Sequence, residues 1–190
     1  MHGVARTMAT NELDEITLRR AARGEPAATR ALVEMYQARV FALVSRIMPA
    51  SGRATVEDVA QDTFLQVFRA LPAFDLAGPA RLSTWILTIA ARRAIDEVRR
   101  KRPALGVDAD RIAVDRGEHR RGEIVRALEA ALGELSPELR AAFLLRELHG
   151  MEYAAIASAL AIDLGTVKSR LSRARAALRE RLAEVHDGKR

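Results

Sequence analysis

The sequence predicts an all-α protein made of two small helical domains joined by a flexible linker. Aromatic residues make up only 4% of the 190 residues, and this scarcity favours helices because strands are enriched in aromatic and β-branched residues. Apolar residues recur at spacings of three and four, as a buried helical face requires. The pattern is lost between Pro103 and Arg121, which separates one block at 12–102 from another at 122–186.

The first block has the pattern of four helices. Pro26 is favourable in the first turn of the second helix, Thr55–Asp58 is close to a capping box at the start of the third, and Pro103 ends the fourth. A loop containing Gly and Pro, from Ala73 to Leu82, precedes the fourth helix. We expect helices at Leu13–Ala22, from Pro26 to just before Pro49, at Thr55–Leu71 and at Ser83–Arg102.

The second block follows a charged segment. Residues 103–121 carry mixed charge and few large apolar side chains, which is typical of a linker. Beyond it, Ser136 is a favourable cap and Gly150 a favourable stop for one helix, and Asp163 is the expected cap of the last helix. We expect four helices here, at about 122–133, 137–149, 152–160 and 164–185.

The composition excludes several classes of site. The chain has no cysteine, which removes disulfides, thiolate zinc sites and cysteine nucleophiles together. Its four histidines are scattered, so we expect no metal, no cofactor and no catalytic residue. A net charge of +6 favours a polyanionic partner. No apolar run approaches the about 20 residues that span a bilayer, and no signal peptide is evident, so we expect a cytoplasmic protein without membrane insertion.

The segment from Glu152 to Leu171 has the pattern of a helix-turn-helix. Apolar residues give each helix an inward stripe, and the second helix carries hydroxyl and basic side chains on its opposite side. Such a face fits the major groove of DNA. An amphipathic helix with a solvated basic face is the alternative, but six cations against one acid between Lys168 and Arg181 favour duplex binding.

The third helix has an outer face of a different kind. Asp58, Gln61, Asp62 and Leu65 lie opposite its apolar stripe, and the segment from Arg53 to Asp75 has a net charge of −2. An apolar side chain within an acidic face is typical of a protein–protein contact. On spacing alone, a solvated face with one stray leucine is equally compatible.

The fourth helix carries hydroxyls, cations and one aromatic residue on its polar side. This combination suits a strand of unpaired DNA, whose bases stack on aromatic rings and whose phosphates attract cations. Two alternatives stay open: Trp85 as a core residue, and Arg99–Arg102 as a solvated helix end favoured by the helix dipole.

Three segments of the second block, 135–140, 143–150 and 165–175, resemble region 4 of the extracytoplasmic-function (ECF) group of sigma-70 family sigma factors. The resemblance implies that this block binds the −35 promoter element. Ala161 stands in the turn where the family usually has Gly. The implied contacts are Lys168, Ser169, Ser172 and Arg173 to bases, with Thr166, Arg170 and Arg175 nearer phosphate.

The first block resembles region 2 of the same family. Residues 57–64 are similar to the part that docks on the clamp helices of RNA polymerase, which implies Asp58, Gln61, Asp62 and Leu65 as the contact. The fourth helix and the loop Phe74–Leu82 are similar to the parts that melt and hold the −10 element. Arg92 stands where the family often has Asn. The implied −10 residues are Phe74, Thr84, Trp85, Thr88, Arg92, Asp96 and Arg99.

The resemblance implies a sigma factor that binds core RNA polymerase at the clamp helices and flap tip, binds promoter DNA and performs no covalent chemistry. It also implies an anti-sigma factor as partner. A helix-turn-helix regulator of the response-regulator type is the alternative, but it predicts strands that the first block lacks. A nucleic-acid enzyme is a third reading, and it needs a further carboxylate or His beside Asp58 and Asp62.

Overall fold

The computed structural model describes residues 12–76, 78, 80–101 and 121–187, with the backbone alone at 121–124 and 184–187. All regular structure within these residues is helical, which confirms the all-α prediction. The predicted linker at 103–121 lies almost wholly outside the described residues. The helices are α1 (Glu15–Ala22), α2 (Pro26–Ile47), α3 (Arg53–Ala70), a 3-10 turn (Leu71–Ala73), α4 (Leu82–Lys101), α5 (Arg121–Glu134), α6 (Pro137–Glu147), α7 (Tyr153–Leu160) and α8 (Leu164–Asp187).

Side-chain caps fix the start of several helices. Ser136 accepts a hydrogen bond from the backbone of Leu139 at 3.4 Å, and Asp163 accepts one from the backbone of Thr166 at 2.7 Å, as expected. The capping box expected at Thr55 is wrong. Helix α3 begins two residues earlier with Gly52 at its cap, so the Thr55 hydroxyl lies inside the first turn and accepts a hydrogen bond from Lys101 instead.

The N-terminal block is a bundle built around α2, which packs against α1, α3 and α4. The predicted inward face of α2 is fully buried, with Leu32, Val40 and Leu43 at its centre. A polar network closes one side of this bundle: the Tyr36 hydroxyl donates to Glu12 at 2.8 Å, and Glu12 also accepts from Ser83 on α4. Burial raises the pKa of Tyr36 to about 12, so the network holds a neutral phenol.

The C-terminal block places α6 and α7 against α8, with α5 along the other side of α8. Leu145, Ile156 and Leu171 form the fully buried centre of this core. An ion pair of 2.5 Å between Arg181 and Glu134 joins α8 to the end of α5. The block therefore holds α7 and α8 rigidly together, and the outer face of α8 is left open.

The two blocks pack against one another. Helix α4 lies against α6 and α7, and α2 lies against α5 and α6. Arg140 is buried at this junction and donates one hydrogen bond, of 2.8 Å, across it to the carbonyl oxygen of Ile47. Its other donors reach the carbonyls of Leu132, Gly133 and Leu135 at the end of α5. Burial lowers the pKa of Arg140 to about 10, so the guanidinium is still charged at neutral pH.

Candidate nucleic-acid and polymerase interfaces

A tight turn positions the helix-turn-helix. Ala161 ends α7 in the left-handed conformation, with φ 52° and ψ 48°, and the backbone N–H of Ile162 donates to the carbonyl of Ala157 at 3.0 Å. Ala161 stands where the family usually has Gly, and it has the left-handed conformation that Gly adopts readily. For a residue with a Cβ atom, the left-handed conformation costs about 1 kcal/mol relative to Gly.

The outer face of α8 matches the expected base-contacting set. Lys168, Ser169, Ser172 and Arg173 are all exposed. Behind them Val167, Leu171, Ala174 and Leu178 are buried against the block. The face presents amine, guanidinium and hydroxyl donors along one side of a rigid helix, as major-groove contact requires.

The three residues expected nearer phosphate, Thr166, Arg170 and Arg175, differ from one another in their contacts and exposure. The Thr166 hydroxyl donates to Asp163 at 2.5 Å, so it serves the helix cap, and these bonds lower the pKa of Asp163. Arg175 donates to Glu147 on α6 at 2.6 Å. Arg170 is half-buried. Arg175 is therefore held by Glu147 of α6, and the Thr166 hydroxyl donates to the cap residue Asp163.

The outer face of α3 brings the four expected polymerase contacts together. Asp58, Gln61, Asp62 and Leu65 are all exposed, and Leu65 is 53% exposed. Across the helix, Thr63 is buried and its hydroxyl donates to the carbonyl of Val59 at 2.8 Å. An exposed aliphatic side chain thus lies one turn after Asp62 and two turns after Asp58 on this face, a combination of apolar and charged groups typical of a protein contact.

The expected −10 residues divide into two groups. Phe74 and Trp85 form an aromatic pair with ring centroids 4.9 Å apart, and both are half-buried against the core. Trp85 is therefore a partial core residue with one part of its ring accessible. Thr84 and Thr88 are half-buried beside it, and the Thr88 hydroxyl donates to the Thr84 carbonyl at 2.8 Å. Asp96 is exposed further along α4.

The second group, Arg92 and Arg99, is bound by the C-terminal block. Arg92 donates to the carbonyls of Ala159 at 2.5 Å and Ser158 at 2.7 Å. These carbonyls lie in the last turn of α7, where a positive charge is favoured, and the Ser158 carbonyl also accepts from the backbone N–H of Ala161 at 3.3 Å. Arg99 forms an ion pair of 3.0 Å with Glu138 on α6. In this arrangement the Nε and Nη2 donors of both guanidinium groups are used within the protein.

Sequence reasoning missed two residues at the junction of the blocks. Arg140 and His149 belong to helical segments, and nothing in their spacing shows that a second block covers them. The Nε2 atom of His149 is buried without a hydrogen-bond partner. Burial, and then the nearby Arg39 and Arg46, lower the pKa of His149 to about 4.

A cleft of about 320 Å³ lies between α3 and α4. It is lined by both signs of charge, with Asp62 on α3 and Arg93, Asp96, Glu97 and Arg100 on α4. Among the described residues no group of three His, Asp or Glu side chains is placed to hold a metal ion. No helix in the described ranges is long and apolar enough to cross a membrane.

Known families match both blocks of the chain. Sigma-70 region 2 matches residues 32–104, and sigma-70 region 4 matches residues 125–178. RNA polymerase sigma-H factor of Pseudomonas aeruginosa is 32% identical over 186 residues, which cover 90% of this chain and 94% of that protein. ECF RNA polymerase sigma factor SigE of Mycolicibacterium smegmatis is 33% identical over 161 residues, which cover 80% of this chain and 61% of that protein.

Solved structures of sigma factors share the fold. The sigma factor RpoE of Bartonella quintana, in complex with the anti-sigma factor NepR, matches 81% of this chain and 96% of its own with a TM-score of 0.68 and 25% identity. CnrH, in complex with the cytosolic domain of CnrY, matches 88% of this chain and 96% of its own with a TM-score of 0.62 and 26% identity. The chain belongs to the extracytoplasmic-function sigma factors of the sigma-70 family, which direct promoter-specific transcription.

Proposed function

We propose that this sigma factor binds core RNA polymerase through the N-terminal block, 12–102, and selects promoters with both blocks. The N-terminal block docks on the clamp helices and holds the melted −10 element. The C-terminal block, 122–186, reads the −35 element and touches the flap tip. The observation that carries the proposal is the separation of two exposed faces of opposite character, an acidic face with Leu65 on α3 and a basic face with Lys168 and Arg173 on α8.

The polymerase contact is supported by the chemistry of α3. Two carboxylates and an amide lie within two turns of an exposed leucine, so the face combines an apolar side chain that can exclude water with polar groups that can form charged contacts beside it. DNA is a poor partner for this face because its phosphates would lie against Asp58 and Asp62.

The −35 contact is supported by the position of α8. Its first turns follow the helix-turn-helix turn directly, and the recognition helix of such motifs uses its N-terminal residues to contact base edges. Lys168 and Arg173 are the cations of that face best placed to donate to guanine, and Ser172 supplies a shorter donor between them. The Ser169 hydroxyl donates to the Thr166 carbonyl at 3.0 Å and presents its oxygen as an acceptor.

The −10 contact is supported by the aromatic pair. Phe74 lies at the end of the 3-10 turn and packs on Trp85, so the pair borders the loop that leads into α4. A base turned out of the duplex can stack on such rings, and nearby guanidinium groups can hold its phosphates. The Nε and Nη2 donors of Arg92 and Arg99 become available to DNA when the C-terminal block moves away.

An anti-sigma factor completes the proposal. One structural relative was solved in complex with the anti-sigma factor NepR and the other with the cytosolic domain of CnrY, and the present chain shares their fold. We place this chain in the cytoplasm, where core polymerase is found, and assign it no covalent chemistry. No observation favours the response-regulator alternative, because residues 12–101 fold into helices where a receiver domain needs strands.

In vitro transcription tests the proposal. Core RNA polymerase is incubated with a pool of genomic promoter fragments, with and without this protein. Discrete transcripts that depend on the protein are expected, and their upstream sequences define the −10 and −35 elements. Specific DNA binding with no such transcripts would overturn the assignment of the α3 face to polymerase.

A further inference from the structure

The contact between the two blocks covers part of the proposed −10 face. Arg92 and Arg99 are seven residues apart, so they lie on one side of α4 two turns from each other. One is bound by the end of α7 and the other by Glu138 on α6. The Nε and Nη2 atoms of both guanidinium groups donate to the C-terminal block, so these donors are unavailable to a phosphate while the blocks are closed. Closure and −10 binding therefore compete for the same donors of this stripe.

The junction also contains a histidine that is held neutral. His149 lies between the end of α6 and Gly150, and its Nε2 atom is buried without a partner. The charged groups that act on it are Arg39 and Arg46 of α2, both positive. Arg39 lies against the Tyr36 ring, and Arg46 donates to the carbonyl of Ala42 at 3.1 Å.

Among the described residues, the charges that act on His149 are those of Arg39 and Arg46, and no carboxylate is among them. Several acidic groups on α6 and the elements around it are engaged with other cations, while Glu34, Asp96, Glu129 and Glu180 are exposed to solvent. On α6 itself Glu138 and Glu147 are paired, on α5 Glu134 is paired, and Glu152, at the cap of α7, lies beside Arg146. The pairs are Glu147 with Arg175, Glu138 with Arg99, Glu134 with Arg181 and Glu152 with Arg146.

We propose that the contact between the blocks is a proton-sensitive clasp, in which protonation of His149 releases the C-terminal block and uncovers the Arg92–Arg99 stripe of α4. The proposed release is inferred from the contacts at the junction alone. The statement that it uncovers a DNA-binding surface rests on the proposed function.

The direction of the effect follows from charge. Protonation places a third positive charge beside two guanidinium groups and adds an N–H donor with no acceptor, whereas in an open chain the imidazolium returns to water. Since the pKa of His149 is about 4 in the closed form and ordinarily 6.5, the closed form loses stability as the pH falls below 6.5. At pH 5.5 the ratio of open to closed molecules is at most about tenfold higher than at neutral pH. This maximum applies when opening exposes the imidazole fully to water.

The test measures the separation of the blocks in solution. The chain has no cysteine, so Arg69→Cys on α3 and Glu180→Cys on α8, both exposed positions, provide unique sites for a donor and an acceptor dye. We expect energy transfer to fall between pH 8 and pH 5.5, with circular dichroism at 222 nm unchanged. His149→Gln, which keeps a polar side chain but does not titrate in this range, should remove the pH dependence.

Arg92→Gln serves as the second variant, because it removes the hydrogen bonds to the end of α7 from an exposed position. It should lower energy transfer already at pH 8. The proposal would be overturned if energy transfer in the labelled chain that retains His149 did not depend on pH. It would also be overturned if energy transfer changed equally in the His149→Gln form. A fall accompanied by loss of helical signal would also overturn it, since the change would then be unfolding.

A DNA readout separates this proposal from the proposed function. Binding of a short single-stranded oligonucleotide of random sequence should strengthen at pH 5.5 in the labelled chain and not in its His149→Gln form. If energy transfer falls with pH but the oligonucleotide binds equally weakly throughout, the proton-sensitive release stands. That result would overturn the assignment of the uncovered stripe to DNA.

Discussion

Arg140 of the C-terminal block donates a hydrogen bond of 2.8 Å to the backbone carbonyl oxygen of Ile47, the last residue of α2 in the N-terminal block. Arg140 is only 5% exposed, and the groups it is bonded to here are all carbonyl oxygens. One charged side chain thereby satisfies carbonyls at the ends of two helices from different blocks.

Replacing Arg140 by Met should destabilise the protein by at least about 3 kcal/mol, because several buried carbonyls lose their donor at once. Thermal unfolding followed by circular dichroism measures the change. Arg173→Met, on the exposed face of α8, removes the same charge and should cost less than about 0.5 kcal/mol. Equal effects of the two substitutions would contradict a structural role for Arg140.

The double variant Lys168→Ala with Arg173→Ala should lose promoter selection while still binding core polymerase. Two base contacts of at least about 1 kcal/mol each correspond to a loss of about 30-fold or more in affinity for a −35 duplex. Fluorescence anisotropy with a duplex selected from the transcription experiment measures it. Arg23→Ala with Arg30→Ala, both exposed in the N-terminal block, is the control of equal charge and should keep most of the affinity.

The double variant Asp62→Ala with Leu65→Ala should weaken core polymerase binding by tenfold or more, about 1.4 kcal/mol, because an exposed aliphatic centre and one of its flanking charges are lost together. Binding of labelled protein to core enzyme gives the affinity. Ile16→Ala with Glu34→Ala makes the same kind of change at two other exposed positions. A similar loss with this control would mean that the α3 face has no special part in docking.

Ala161→Gly should stabilise the protein by up to about 1 kcal/mol, because Gly adopts the left-handed conformation without a Cβ clash. Ala154→Gly, at an exposed position within α7, should destabilise by a similar amount since Gly is a poor residue inside a helix. Denaturant unfolding of the two variants gives opposite shifts of the midpoint. Shifts of the same sign would refute strain at the turn.

Sequence patterns were sufficient to predict where the helices lie and which side of each helix faces inward. The buried stripes of α3 and α8 are the predicted ones, because a period of 3.6 residues fixes which side chains share a face. The start of α3 was misplaced because Thr55 can cap a helix but here binds Lys101, a contact 46 residues away in the chain.

The periodicity of apolar residues could not predict how one block packs on the other. Arg92 and Arg99 have the spacing of solvent-facing cations, and that spacing is the same whether DNA or another part of the chain covers them. His149 follows a helix whose apolar pattern has already ended, so nothing local marks it as buried. Such contacts depend on residues tens of positions apart, and a local pattern carries no information about them.

The contact between Trp85 on α4 and Phe74 at the end of the 3-10 turn gives this protein an intrinsic fluorescent probe. Trp85 is the only tryptophan in the chain, so its emission comes from one position, beside Phe74 and next to the loop proposed to receive a flipped base. Indole emission changes in wavelength and intensity when its surroundings become drier or when a base stacks on it. Association with melted promoter DNA can therefore be followed in real time on the unlabelled protein, from the site where the bases are held.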